Sequence, residues 1–369
     1  MNVTARWVTR LIFLLLLVSI VAGIKVFGTK FMHREDGSTA GYAFDSFVMG
    51  SVMTVTIRDP DKALAEKGAA LVLDEVHRIT GIFDPHNPGS EISRLNNSPR
   101  DGVPLTIGAD MSLVLSEALR IRDASGGLFD PALGELINLW GFNSESAKHE
   151  LPDSARIKAL GDSLRWGAGI RLGENGKTVI LEPETGRLDL GAIIAGYAVD
   201  RSVALLRQNG IRNALINLTG EIGVLGVGSN GRSWRVGVQH PRKSASHLGV
   251  IEQVEGLFVA TSGDYERYFV REGRRYHHIL DPRTGYSAKE GAAISVTVIA
   301  SSCIVADAAS TAAFVLGPES GVKFLDSLGC QGLIVYAADG DTESGKLAYR
   351  ATEGFLRIMK PDLEGLPIL

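Results

Sequence analysis

The sequence predicts an α+β fold with a largely antiparallel sheet, and three observations carry that prediction. Amphipathic helical stretches and short alternating strands interleave from about residue 44 to 360. The pairs Asn175-Gly176 and Asn230-Gly231 lie between strand-like runs, where a two-residue turn joins antiparallel neighbours. No internal repeat and no long Pro- or Ser-rich break divides this region, so it reads as one compact unit. With 369 residues and 45% apolar composition, the chain can bury a core without needing cross-links.

The N-terminus departs from this pattern. Arg6 and Arg10 precede an uncharged apolar run from Leu11 to Ile24, which reads as an uncleaved signal-anchor within residues 1–28. The run is short for a span of about 20 residues, but Trp7, Val8, Val26 and Phe27 can lengthen it. The two arginines place the N-terminus in the cytoplasm and carry the remainder across a bacterial inner membrane, so that the domain faces the periplasm. Residues 29–43 are polar and read as a tether, 44–360 as the folded domain and 361–369 as a tail.

Within the domain, Lys62 to Phe83 carries a helical stripe of Val72, Val76, Ile79 and Phe83, and Met111 to Ala124 repeats it with Val114, Ala118 and Ile121. Tyr197 to Asn209 presents Val199, Val203 and Leu206, with Gly210 placed to stop the helix in a left-handed cap. Strands are expected at Val52–Ile57, Thr178–Leu181, Ala214–Leu218, Trp234–Gln239, Gly256–Ala260 and Ile294–Ile299. Gly226, Gly228 and Gly231 spell G-x-G-x-x-G, but a strand-like run follows them. A dinucleotide fingerprint needs a helix there, so this reads as a glycine-rich hairpin.

A net charge of −4 leaves no broad basic field, which argues against nucleic acid as a partner. Cys303 and Cys330 are the only cysteines; export would permit a disulfide, but two buried thiols fit a domain of this size better.

Four segments could carry chemistry. Asp307 and Thr311 in A-D-A-A-S-T lie four apart, so on a helix a carboxylate and a hydroxyl converge as a hard cation such as Mg²⁺ prefers. Spacing alone favours a plainer reading, an Asp in the first turn offsetting the helix dipole. In Y-H-H-I-L-D-P-R-T-G, His277 and His278 point to opposite faces of a strand, so at most one enters a given site. S-G-G-L-F-D-P, from Ser125, allows close backbone approach, and Phe129, Trp140 and Phe142 could wall a flat ring system. L-D-L-G-A-I-I-A-G-Y-A-V-D, from Leu188, is a glycine-punctuated helix entry offering N–H groups to phosphate and carbonyls to a metal.

Together and in order, these segments resemble the ApbE family of FAD:protein FMN transferases. The resemblance also takes in Met49-Gly50-Ser51, S-E-I-S-R-L-N from Ser90, N-L-W-G-F from Asn138, N-A-L-I-N-L-T-G-E-I from Asn213 and A-T-S-G-D-Y from Ala260. It implies a T-fold-like ApbE architecture. It also implies Mg²⁺ held by Asp307, Thr311 and the carbonyl of Ile194, with Ser310 assisting. FAD, the substrate, is expected to contact Met49, Phe83, Leu128, Phe129, Asp130, Gly191 and Tyr197, and His278 is implicated in transfer with Asp307. The implied acceptors are exported subunits of respiratory electron-transfer complexes. Ala192, Ile194, Ala195 and Ala309 stand where the family commonly has Gly, Ala, Lys and Leu. The missing lysine leaves Mg²⁺ more of the phosphate charge to neutralise. An exported FAD carrier and a Mg²⁺-dependent FAD pyrophosphatase are the rival readings.

Overall fold

The computed structural model describes residues 32–35, 41–142, 150–163, 166–228, 231–243, 246–253, 255–288, 293–340 and 346–361. The expected anchor lies outside the described residues, as do Asn230 and the tail from 362 onward. Among the described residues, no helix is long and apolar enough to cross a membrane.

A nine-stranded sheet forms the centre, and its spatial order is its chain order. Its strands are β1 (Met32–Glu35), β2 (Tyr42–Val48), β3 (Ser51–Ile57), β4 (Ala214–Leu218), β5 (Glu221–Leu225), β6 (Phe258–Gly263), β7 (Ser295–Ala300), β8 (Gln331–Ala337) and β9 (Leu347–Ala351). Each pairs antiparallel with the next, in agreement with the sequence-based class. β1 falls inside the stretch expected to be a tether. Four residues are too few to show a period of two in sequence, and β1 is ordered by its partner β2.

Two tight turns close one end of this sheet. Met49 and Gly50, at φ 50° and 77°, join β2 to β3; Thr219 and Gly220, at φ 58° and 108°, join β4 to β5. Positive φ at both central residues suits the right-handed twist of hairpin strands. Met53 faces Leu218 across β3 and β4, so both turns lie at the same end.

The principal helices are α1 (Lys62–Phe83), α2 (Ala109–Ala124), α3 (Gly134–Trp140), α4 (Ile194–Gln208), α5 (Cys303–Leu316) and α6 (Pro318–Ser327). The stripe expected on α1 is buried, and Asp61 caps it by accepting from the N–H groups of Ala63 and Leu64. Gly210, at φ 82°, ends α4 as expected. The helices α1, α2, α4 and α5 pack on one sheet face, where Ala260, Val296, Val298 and Ile334 join the main core.

A smaller sheet of Trp234–Gln239, His247–Gln253 and Met359–Pro361 covers the other face. There Val259, Ile299, Leu333 and Val335 meet Val236, Val238, Ile251 and Phe355. Central strands buried on both faces read in sequence as nearly continuous apolar runs. The strand Trp234–Gln239 follows the run Gly226 to Gly231, as read from sequence, but the expected glycine-rich hairpin does not form: β5 pairs within the large sheet and Trp234–Gln239 pairs with His247–Gln253 in the small one, so the glycines join two sheets. Gly176, at φ 65°, turns the chain between strands Ile170–Leu172 and Thr178–Leu181. Cys303 and Cys330 are free and buried.

Candidate active site

Asp307 sits in the second turn of α5, fully inside the protein, which sets aside its reading as a first-turn dipole partner. That task falls to Asp200 of α4, whose carboxylate accepts from the backbone N–H groups of Cys303 (2.7 Å) and Ile304 (2.9 Å). The helices α4 and α5 approach closely because Gly196 has no side chain. A Cβ there would lie 2.4 Å from the Cys303 carbonyl oxygen and 2.8 Å from the Cβ of Asp307. The Gly196 N–H donates to Asp307 Oδ2 at 2.9 Å, and Oδ1 receives no hydrogen bond from the described residues.

Hydroxyls collect beside this acid. Ser262, at the end of β6, has its Oγ 2.7 Å from Ser310 Oγ and 3.1 Å from Thr311 Oγ1. Ser310 also donates to the Asp307 carbonyl at 2.8 Å. Glu221, buried at the start of β5, accepts from the Thr219 hydroxyl in the adjoining turn.

The electrostatics of this cluster are one-sided. Burial pushes Asp307 up to about 7; the Gly196 N–H opposes the rise and Asp200 adds to it. Burial and then the charge of Asp307 hold Glu221 well above the usual carboxylate range. Asp200 is raised to about 6 by burial despite its two N–H donors. No cationic side chain among the described residues offsets these three acids. Nor, among those residues, do three or more His, Cys, Asp or Glu side chains gather as a metal cage. The available donors are therefore one open carboxylate and several hydroxyl oxygens.

The two histidines divide as the strand period requires. His277 is buried with its ring edge-to-face against Phe314 of α5, centroids 5.4 Å apart, and its Nδ1 accepts from the Ile279 N–H at 3.3 Å. His278 is half-buried, with Nδ1 3.3 Å from the Arg267 carbonyl oxygen. A carbonyl can only accept, so Nδ1 carries the proton and Nε2 keeps its lone pair. Burial first, then Arg267 and His277, push His278 down to about 3, so the ring is neutral.

The remaining expected residues spread over two layers. Phe83 meets Tyr197 edge-on at 6.4 Å, and the Tyr197 hydroxyl donates to Asp110, which Arg78 also holds. Met49 is partly buried in its turn, and Ile194 opens α4. Leu128 and Phe129 are buried in the main core. The Asp130 carboxylate accepts from Arg122 Nε and from the N–H groups of Ala132 and Gly167, all at 2.9 Å. Gly191 is exposed and donates to Asp189.

The expected aromatic wall does not form as one surface. Trp140 belongs to a separate cluster from Phe129, and its ring stacks with Phe142 and with Tyr276, each at 5.8 Å. Two open clefts, beside Pro88–Pro99 and between α2 and the start of α5, contain none of the expected site residues. Sequence reasoning missed Gly196, Asp200, Glu221 and Ser262. All four lie inside the motifs it singled out, but only the fold brings them beside Asp307.

The sequence pattern of the ApbE family matches residues 49–334, a stretch that takes in every element just described around Asp307. The chain belongs to the ApbE family. It is 33% identical over 286 residues to an FAD:protein FMN transferase of Klebsiella pneumoniae, covering 77% of this chain and 85% of that one. A second such transferase, from Treponema pallidum, is 32% identical over 322 residues, covering 84% and 86%. The crystal structure of an ApbE protein from Thermotoga maritima superposes with a TM-score of 0.76 at 30% identity, over 86% of this chain and 99% of that one. The flavin transferase ApbE of Vibrio cholerae gives 0.74 at 25% identity, over 86% and 99%. ApbE architecture thus accounts for the mixed fold with its large antiparallel sheet.

Proposed function

We propose that this ApbE-family protein is an FAD:protein FMN transferase that moves FMN from FAD to a Thr or Ser hydroxyl of an exported protein and releases AMP. The observation that carries the reading is the buried, uncompensated Asp307 beside Ser262, Ser310 and Thr311, in a chain whose relatives are named for this activity.

The residues present fit Mg²⁺. Its preferred donors are hard oxygens, and Asp307 offers an open carboxylate oxygen one helical turn from Thr311, in a cluster of negative charge that a divalent cation relieves. Asp307, Thr311 and the Ile194 carbonyl would hold the ion, with Ser310 assisting. When bound, Mg²⁺ neutralises the pyrophosphate of FAD, whose negative charge otherwise repels an incoming hydroxyl.

The chain's own residues do the rest. In this reading Met49 and Gly191 are accessible to the flavin, while Phe83, Leu128, Phe129, Asp130 and Tyr197, all buried, shape its binding surface from within. Asp130 acts by fixing its loop, because its carboxylate is already committed to Arg122, Ala132 and Gly167. His277 packs on Phe314, three residues beyond Thr311, and the adjacent His278 faces the other way, with Nδ1 on the Arg267 carbonyl and Nε2 free to accept. Neutral His278 takes the acceptor's proton at Nε2 as the hydroxyl oxygen bonds to the FMN-side phosphorus. The bond from that phosphorus to the bridging oxygen breaks, and AMP leaves with the electron pair. We place the domain on the periplasmic side of the inner membrane, held by the apolar segment from Leu11 to Ile24, with respiratory electron-transfer subunits as acceptors.

The test incubates purified protein with FAD, Mg²⁺ and co-expressed membrane proteins, then reads covalent flavin fluorescence in a denaturing gel. A fluorescent acceptor band supports transfer; free FMN identifies a pyrophosphatase, and intact FAD a carrier. Asp307→Ala should abolish the band and His278→Ala should slow its appearance at least tenfold. Full transfer in both variants rejects the assignment.

A further inference from the structure

The β2–β3 hairpin carries an exposed apolar pair. Phe47 and Val52 stand directly opposite each other across the two strands, 54% and 57% exposed. They flank the Met49-Gly50 turn on the sheet face opposite Val48 and Met53, both of which are buried in the main core. Single exposed apolar residues are ordinary, but an opposed pair of this size at a hairpin tip leaves a contiguous apolar surface in water.

The direction of β1 says what lies against it. β1 runs antiparallel to β2 with Met32 opposite Asp45 and Glu35 opposite Tyr42. Met32, where β1 begins, therefore lies at the end of the strand nearer Phe47 and the turn. If the apolar anchor ends at Phe27, residues 28–31 alone connect it to β1. Fully extended at about 3.4 Å each, they reach about 14 Å; if it ends at Ile24, residues 25–31 reach about 24 Å. Presenting the opposite end of the sheet would require a reversal of about four residues and then about 10 Å more, from opposite Asp45 back to Tyr42. The shorter tether is used up by the reversal alone and the longer one reaches the opposite end only when fully spent, whereas either reaches the turn end directly.

We infer that the tip of the β2–β3 hairpin rests on the bilayer surface, with Phe47 and Val52 in contact with lipid. The inference rests on the membrane anchor proposed above. The occupant is a lipid surface because the segment that leads to this tip is the one read as embedded in the bilayer. Aromatic and aliphatic side chains suit that interface. Met49, read as part of the flavin-binding surface, lies in the turn between the pair, so that surface lies beside the membrane. An acceptor must then present its hydroxyl close to the bilayer.

The experiment uses the full chain in vesicles of phosphatidylethanolamine and phosphatidylglycerol. Cys303 and Cys330 are buried, so a thiol-reactive fluorophore reports on a single introduced cysteine. Phe47→Cys and Val52→Cys probe the tip, and Lys62→Cys probes exposed surface following the opposite end of β3. Lipids spin-labelled near the headgroup should quench both tip labels at least threefold more than the label at position 62. Equal quenching at all three sites, or stronger quenching at 62, in protein that floats with the vesicles overturns the inference and leaves the anchor standing. Protein that does not float with the vesicles overturns the anchor and the inference together. The transfer assay reads flavinylation separately in either case.

Discussion

Asp200 holds the entry to α5 at a cost that depends on pH. Its carboxyl is buried between α4 and the first turn of α5 and titrates near 6, against an ordinary value of 3.8. The unfolded chain loses this proton first, so between those two values the folded state binds the extra proton. Stability from this group is full below pH 4, falls as pH rises to about 6 and is level above. The difference corresponds to roughly 3 kcal/mol. Asp200→Asn keeps one acceptor for the N–H groups and removes the titration. The stability of Asp200→Asn relative to wild type, from urea unfolding, should therefore improve by about 2–3 kcal/mol between pH 4.5 and 7. A difference that stays constant with pH would contradict the assignment.

Two glycines separate conformational from steric cost at the level of the elements. Gly196 faces backbone and a Cβ, neither of which can swing aside, so Gly196→Ala must push α4 off α5. Overpacking of this kind costs about 1–3 kcal/mol, and here it also displaces the N–H that holds Asp307. Gly50, at φ 77°, has nothing within 4 Å of a Cβ, so Gly50→Ala incurs only the left-handed backbone cost of about 1 kcal/mol. Urea midpoints should rank wild type above Gly50→Ala and Gly50→Ala above Gly196→Ala. Transfer activity should collapse in the Gly196 variant beyond what its lost stability explains.

Those two positions also show what the sequence could and could not say. The helix α1 was legible over Lys62–Phe83 because its stripe keeps a 3.6 period through six turns, and Gly210 marked the end of α4 by the backbone it needs. The strand β7 was placed one residue early, and β6 two residues early at its start and three at its end, since strands buried on both faces carry no alternation to fix their ends. Asp307 and Thr311 of α5 stood out through the family resemblance of their motif, since their spacing alone favoured a first-turn dipole role for the acid. Gly196, Asp200, Glu221 and Ser262 did not, because they meet α5 from α4, β5 and β6 and no local pattern encodes that contact.

At the scale of the molecule, β6, β7 and β8 serve two cores at once. Alternate residues along them enter the helix-covered core, through Ala260, Val296, Val298 and Ile334, or the core under the small sheet, through Val259, Ile299, Leu333 and Val335. Removing either layer would strand one face of these shared strands in water, so neither core has a stable state without the other. The described domain should then melt in one calorimetric transition. Phe355 is fully buried in the second core, far in the chain from any helix of the first. Phe355→Ala should cost about 3–5 kcal/mol and lower that single transition. Hydrogen exchange of α5, on the other side of the sheet, should accelerate by the factor the same free energy predicts. Two separated transitions, or an α5 whose protection is unchanged in the variant, would show that the layers unfold independently.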